Sequence, residues 1–195
     1  MAGRIRVSTL TTAVPYGAVD GGEEDRNYGF KNLRKNPESI DEIPELADSR
    51  AFRGLIEAIN LPAGRFWSLA CEKALSRSDE KPGFAWRVNG YVAVAFEFMP
   101  WNSVEEHFET FVSRASAYLD PRCPDDAIYF SAELAPTHYR EADLHGWSLV
   151  LWTGAYGVDE ANAKARWEAA VSLFADFFVH EAATAPPERT ITAAR

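Results

Sequence analysis

The sequence has few cysteines, and none stands at the spacing that zinc sites use. Cys71 and Cys123 are the two in 195 residues, and neither belongs to a CxxC motif or to a Cys/His cluster. This pattern argues against a structural zinc site and against a disulfide-rich small domain. We expect two reduced thiols in a cytoplasmic protein, and one disulfide between them is the alternative.

Long apolar runs and the common catalytic motifs are also missing. No apolar stretch is long enough to span a bilayer, and the short apolar runs of residues 1–14 do not suit a signal peptide. The sequence contains no GxSxG, HExxH, Walker A or GxGxxG motif. We therefore expect no membrane partner, no metal and no cofactor, and we assign no catalytic residue.

Basic side chains are outnumbered by acidic ones, 20 to 29, which gives a formal net charge of −9. Residues 1–100 hold 13 basic and 14 acidic side chains, whereas residues 101–195 hold 7 and 15, a net of −8. Nucleic acids and anionic membranes attract surfaces rich in Lys and Arg. The charge therefore argues against both and is compatible with a basic protein partner.

Apolar and aromatic residues are plentiful and indicate a sizeable core. They make up 47% and 13% of the chain, with six tryptophans. Residues 1–46 show little periodicity and carry Gly-Gly, Asn-Pro and Ile-Pro pairs, which predicts an irregular N-terminal arm, with or without a short strand. We expect an α+β domain over residues 47–183 and a mobile tail over 184–195.

The periodicity of residues 47–183 predicts the order α-β-β-β-α-β-β-α. Asn89-Gly90 suits the two-residue turn of a β-hairpin, and Ser103 with Glu106 matches a capping box. The strand connections are short, so the sheet should be mainly antiparallel, with about five strands and the helices on one face. The predicted strands are 65–75, 84–88, 91–99, 127–134 and 146–157, and the last helix runs over 159–183.

The predicted hairpin fixes which side chains share a face. Trp86 would pair with Ala93, and both would lie on the face of Tyr91 and Glu97. The opposite face would carry an apolar row suited to helix packing, formed by Val92, Val94, Phe96 and Phe98. Glu97 is therefore expected on the face that the helices leave free.

Two more glutamates follow a small residue by two positions on a predicted strand. Glu72 follows Ala70, and Glu133 follows Ser131, as Glu97 follows Ala95. If the three strands are neighbours, their carboxylates could meet on a floor of small residues and bind a cation, an amine or a sugar, with acid/base chemistry also open. The predicted ligand or partner face consists of Glu72, Glu97, Glu133, Trp86, Tyr91 and Tyr129. The competing interpretation, which we favour, is that these glutamates are solvated on an exposed face.

A second candidate lies in the segment 137–147. His138, Glu141, Asp143 and His145 supply metal-ligating groups, but their spacing matches no known metal motif. A polar connection between two strands explains them equally well, and we favour that interpretation.

The charge and the missing motifs favour a non-enzymatic, acidic binding protein that recognises a basic protein partner. In size and acidity the chain resembles toxin-neutralising immunity proteins, which makes an immunity-like or inhibitor-like interaction module the first hypothesis. One alternative is a small-ligand-binding protein or acid/base enzyme that uses the glutamate-and-aromatic pocket. The other is a structural homo-oligomer whose second copy covers the free face of the sheet.

Overall fold

The computed structural model describes residues 5–9, 11–17 and 29–184. The predicted tail from residue 185 onward lies outside the described residues. The strands and α-helices follow in this order: β1 (Arg6–Val7), β2 (Thr12–Val14), α1 (Arg50–Ile59), β3 (Phe66–Arg77), β4 (Trp86–Phe96), α2 (Glu105–Leu119), β5 (Ile128–Tyr139), β6 (Leu144–Gly157) and α3 (Glu160–Thr184). None of the described helices is long and apolar enough to cross a membrane.

One sheet has the strand order β1-β5-β6-β4-β3, with β2 also paired to β5. The four long strands are antiparallel to their neighbours, whereas β1 and β2 lie parallel to β5. The predicted α+β class with a mainly antiparallel sheet is confirmed. The two short strands come from the N-terminal arm and raise the strand number above the expected five.

The three helices pack on one face of the sheet, which we call the helix face. Ser49 caps α1 by accepting a hydrogen bond from the Phe52 amide at 3.1 Å. The apolar stripe of α3 includes Trp167 and Phe178 and is buried against β4 side chains such as Val92. Burial of these large side chains is the main source of stability here.

The predicted hairpin turn at Asn89-Gly90 is wrong, because both residues lie inside the continuous strand β4. Gly90 pairs with Lys73 of β3 on one side and with Thr153 of β6 on the other. A Cβ at Gly90 would come within 2.8 Å of the Trp167 ring, so the glycine admits a tryptophan of α3 to the sheet surface. The actual β3–β4 connection is the loop 78–85.

A β-bulge interrupts the register between Ser68 and Ala70 of β3. Before the bulge, Phe66 points to the helix face and Trp67 to the opposite, non-helix face. After it the alternation is shifted by one residue, so that Cys71 lies on the helix side and Glu72 shares a face with its partner Tyr91. Strict alternation would place Trp67, Leu69, Cys71 and Leu75 on one face, and the bulge prevents this.

The predicted capping box at Ser103 is also wrong. A short 3-10 helix, Met99–Ser103, precedes α2 and engages these residues. The Asn102 side chain bonds both the backbone amide and the carbonyl of Phe96, and the Ser103 hydroxyl donates to the Pro100 carbonyl. α2 consequently begins at Glu105 with no side-chain cap.

The N-terminal arm covers part of the non-helix face. A small second cluster forms there around Val14, Leu69 and Tyr139, with Phe30 and Trp67 packed against it. Tyr16 reinforces the contact by donating its hydroxyl hydrogen to the Leu69 carbonyl at 2.9 Å. The N-terminal arm thus covers part of the sheet face that the helices leave free.

Candidate functional site

A cavity of about 990 Å³ lies between the arm and the non-helix face, and we call it the acidic cleft. Its floor is the middle of the sheet, including Ala70, Ala93 and Val150. Its walls come from the arm, including Ser8, β2 and the segment 42–45. This volume is at the upper end of the range that small-ligand sites occupy.

One row of paired residues crosses the floor of the acidic cleft. Glu72 of β3 pairs with Tyr91 of β4, which pairs with Trp152 of β6. The Tyr91 and Trp152 rings lie 4.9 Å apart between centroids and are tilted by 53°. Register pairing thus places a carboxylate beside two aromatic rings, an arrangement that attracts a cation.

Glu133 lies in the next row, opposite Val150, on the other side of the acidic cleft. Three strand spacings separate β5 from β3, so the Glu72 and Glu133 backbones lie on the order of 14 Å apart. That separation is too wide for two carboxylates that share a substrate atom. These two glutamates face each other across a cleft and do not form an acid/base pair.

Three of the four carboxylates that line the acidic cleft have no basic partner in the described part of the chain. Glu42 is paired with Lys31, but Glu45, Glu72 and Glu133 form no ion pair within residues 5–9, 11–17 and 29–184. Glu45 and Glu133 are also partly buried, although such carboxylates are usually paired. Arg6 is the register partner of Glu133 and is exposed.

Three side chains in and around the acidic cleft have raised pKa values. Burial first, and then the Glu72 carboxylate, raise the pKa of Tyr91 to about 12. Burial likewise raises the pKa of Tyr16 to about 12 and that of the Cys71 thiol to about 12. The phenols therefore stay neutral at physiological pH, and Cys71 does not form the thiolate that a nucleophile needs.

Glu97 does not join Glu72 and Glu133. It follows the end of β4, six residues beyond Tyr91, or about 20 Å along the strand direction. Its carboxylate accepts a hydrogen bond from the Arg34 guanidinium at 2.7 Å and is 54% exposed. Glu97 borders a different cavity, of about 880 Å³, which we call the second cleft.

Two of the predicted aromatic walls also lie elsewhere. Trp86 is on the helix face, where the Arg77 guanidinium stacks 4.8 Å from its ring centroid. The hairpin prediction had placed it on the wrong face. Tyr129 lies on the non-helix face beyond the acidic cleft, above Gly154, with its hydroxyl 3.2 Å from the Asn89 side chain. Of the six residues predicted for this face, Glu72, Tyr91 and Glu133 line the acidic cleft.

The histidine-containing segment forms the end of the β5–β6 hairpin. The His138 and His145 rings stack face to face, 4.2 Å between centroids. Glu141 pairs with Lys35, and Asp143 lies 3.5 Å from His138. In the part of the chain that the structure describes, no group of three or more His, Cys, Asp or Glu side chains is placed to hold a metal ion.

The sequence interpretation missed three contributors to the acidic cleft: Tyr16, Glu45 and Trp152. Tyr16 and Glu45 belong to the arm, whose lack of periodicity hides which residues face the sheet. Trp152 could have been found, because it alternates with buried Leu151 and Thr153 on a predicted strand.

Comparisons of the chain with models of protein families, with curated proteins and with solved structures find no match. Function therefore has to be inferred from the site itself.

Proposed function

We propose that this protein is a non-enzymatic, acidic binding protein that receives basic side chains of a partner protein in the acidic cleft. The observation that carries the proposal is a set of three carboxylates, Glu45, Glu72 and Glu133, that have no basic partner among the residues the structure describes. A lysine or arginine side chain in the cleft would supply the missing positive charge.

The aromatic rings of the acidic cleft support the same kind of occupant. Tyr91 and Trp152 lie in one row with Glu72. The methylene stem of a lysine or arginine can pack on such rings while its charged end meets the carboxylate. The acidic cleft therefore offers both parts of a basic side chain a matching surface.

The surrounding groups favour binding over catalysis. No histidine is among the residues that line the acidic cleft. The Cys71 thiol and the Tyr16 and Tyr91 phenols keep their protons because burial raises the pKa of each. The residues described here thus supply neither a nucleophile with its base nor a closely spaced acid/base pair.

The acidic surplus of residues 101–195 contributes little to the acidic cleft itself. Nine of the fifteen acids of residues 101–195 are exposed, and among the described ones Glu133 alone lines the acidic cleft. The surplus in that half acts as a general negative field that speeds the approach of a basic partner.

The experiment uses a 12-residue peptide rich in Lys and Arg as the probe, titrated into the full chain by calorimetry at physiological salt. The test variant is Glu45→Gln/Glu72→Gln/Glu133→Gln. We expect it to bind the peptide at least about tenfold more weakly, because each charged contact contributes about 1.5 to 3 kcal/mol.

The matched control is Glu105→Gln/Glu106→Gln/Glu109→Gln, which changes the net charge equally on exposed positions of α2. It should bind within about twofold of the wild type, since exposed charges contribute little. An equal loss in both triple variants, or no binding to the wild type, would contradict the proposal.

A second candidate function is the binding of a small organic amine. The cavity volume of about 990 Å³ and the paired rings of Tyr91 and Trp152 favour it. Spermidine serves as the probe in the same calorimetric titration. If spermidine binds one to one and more tightly than the peptide, and the cleft triple variant abolishes this, the small-ligand function replaces the first proposal.

A further inference from the structure

The second cleft differs from the acidic cleft in the character of its walls. It lies between the segment 32–41, α1, the loop 61–62 and the ends of β3 and β4. Many of the side chains that line it are apolar or largely apolar, among them Leu33, Ile40, Leu61, Pro62, Trp67 and Met99. Its volume of about 880 Å³ is again that of a small-molecule site.

The basic groups at the rim of the second cleft are already paired. Arg34 contacts Glu97 at 2.7 Å, and Lys35 contacts Glu141 at 3.3 Å. Arg53 contacts Asp41 at 2.6 Å and Glu57 at 3.0 Å. Among the residues lining the second cleft, Glu38 carries the remaining charge and is exposed. An anion therefore finds no available counter-charge beside the apolar walls, in contrast to a cation in the acidic cleft.

An aromatic ring belongs to the walls of the second cleft. Trp67, near the start of β3, is the aromatic residue among those that line it. Phe30 packs against this ring edge to face, 5.4 Å away between centroids. A flat, apolar wall of this kind suits an apolar ligand.

We propose that the second cleft binds an uncharged, largely apolar small molecule. The apolar walls supply the binding free energy through burial, and the paired rim charges select against anions. This site is separate from the acidic cleft and does not depend on the function proposed for it.

The test uses Nile red, an uncharged dye with a carbonyl acceptor whose fluorescence rises and shifts to the blue in apolar surroundings. We expect saturable binding of one dye per chain. Leu61→Trp, which fills the second cleft, should weaken binding at least tenfold.

The matched control is Thr11→Trp, which adds the same bulky side chain to an exposed position of the acidic cleft. It should leave the dye affinity unchanged. Near-ultraviolet circular dichroism checks that every variant is folded, and Met99→Phe replaces Leu61→Trp if the latter is not. Absence of saturable binding, or equal loss in Thr11→Trp, would overturn the site.

Discussion

Arg34 connects three segments of the chain through one guanidinium group. One of its terminal nitrogens donates to the carbonyls of Leu61, Gly64 and Phe66, and the other donates to Pro62 and to the Glu97 carboxylate. The Arg34 side chain is 13% exposed, whereas that of Glu97 is 54% exposed. The backbone contacts, more than the ion pair, should therefore account for its contribution to stability.

Arg34→Ala should lower the free energy of unfolding by about 2 to 4 kcal/mol, because carbonyls of the loop 61–66 lose a charged donor. Glu97→Gln should lower it by less than about 1 kcal/mol, since it removes only an exposed charge. Urea denaturation of both variants measures the difference. Similar losses in the two would show that the ion pair, and not the carbonyl contacts, holds the arm in place.

Raised tyrosine pKa values predict a loss of stability at high pH. Tyr16 and Tyr91 have an ordinary pKa of 10.0 that burial raises to about 12. Above pH 10 the unfolded chain therefore binds fewer protons than the folded one, and the free energy of unfolding falls. This stabilisation is complete below pH 10 and is lost as the pH rises through 12.

Urea denaturation at several values from neutral pH to about pH 12 measures this slope. Tyr91→Phe removes one of the titrating groups, so its stability should fall less steeply over that window than the wild-type stability does. An unchanged slope in Tyr91→Phe would contradict the assignment to this phenol.

At the scale of secondary structure elements, Gly90 shows why one local signal misled the sequence interpretation. An Asn-Gly pair between apolar runs is typical of a tight turn, because turns tolerate positive φ. Here the glycine allows α3 to approach the sheet closely, because a side chain at position 90 would clash with Trp167. The Trp167 indole in turn donates a hydrogen bond to the Thr153 carbonyl at 2.9 Å. The contact depends on a helix about 75 residues away, which local patterns cannot reveal.

Gly90→Ala should destabilise the protein by about 1 to 3 kcal/mol, because its methyl group would lie within 2.9 Å of both Trp167 and the Glu72 carbonyl. Gly54→Ala is the matched control. Gly54 lies in α1 with no atom near its added methyl group, so it should stabilise the helix by about 0.5 to 1 kcal/mol. Thermal unfolding compares the two, and shifts of the same sign would argue against the steric explanation.

Long amphipathic elements could be predicted from the sequence, whereas the site could be predicted only in part. The stripe of Trp167, Phe174 and Phe178 repeats at helical spacing and locates α3 to within one residue at each end. Alternation on β4 after Gly90 correctly separates Tyr91 from Val92. The meeting of Glu45 with Glu72 depends on the path of the arm, which no periodicity encodes.

Across the whole molecule, two clusters of very different size hold the layers together. The main cluster spans all three helices and the helix face of the sheet. The second cluster has five buried members, Val14, Leu69, Ala93, Ala95 and Tyr139, and holds the arm against the non-helix face. Because it buries much less apolar area, the arm should open without unfolding the rest.

Native-state hydrogen exchange should resolve this opening. The Ser8 and Phe30 amides, which bond to Leu134 and Tyr16 respectively, should exchange faster than amides in the middle of β4. Val14→Ala should raise the exchange rates of these two amides by loosening the second cluster. Val179→Ala, at a half-exposed position of α3, should leave those rates unchanged. Uniform exchange throughout would mean that the arm and the domain unfold together.

The bulge in β3 has a consequence for how the chain tolerates change. Phe66 and Ser68 point toward the helices, and continued alternation would send Ala70 and Glu72 the same way. The additional residue in the bulge reverses which side chains face the helices, so Glu72 faces the acidic cleft and not the apolar interior. Substitutions along this strand change one contact at a time. Because Ser68 pairs with Val94 and Ala70 with Ala93, a deletion of Leu69 would leave a regular ladder with Glu72 still on the side of the acidic cleft. A deletion of Cys71, beyond the bulge, would instead exchange the two sides of everything downstream in β3 and bring the Glu72 carboxylate into the apolar interior.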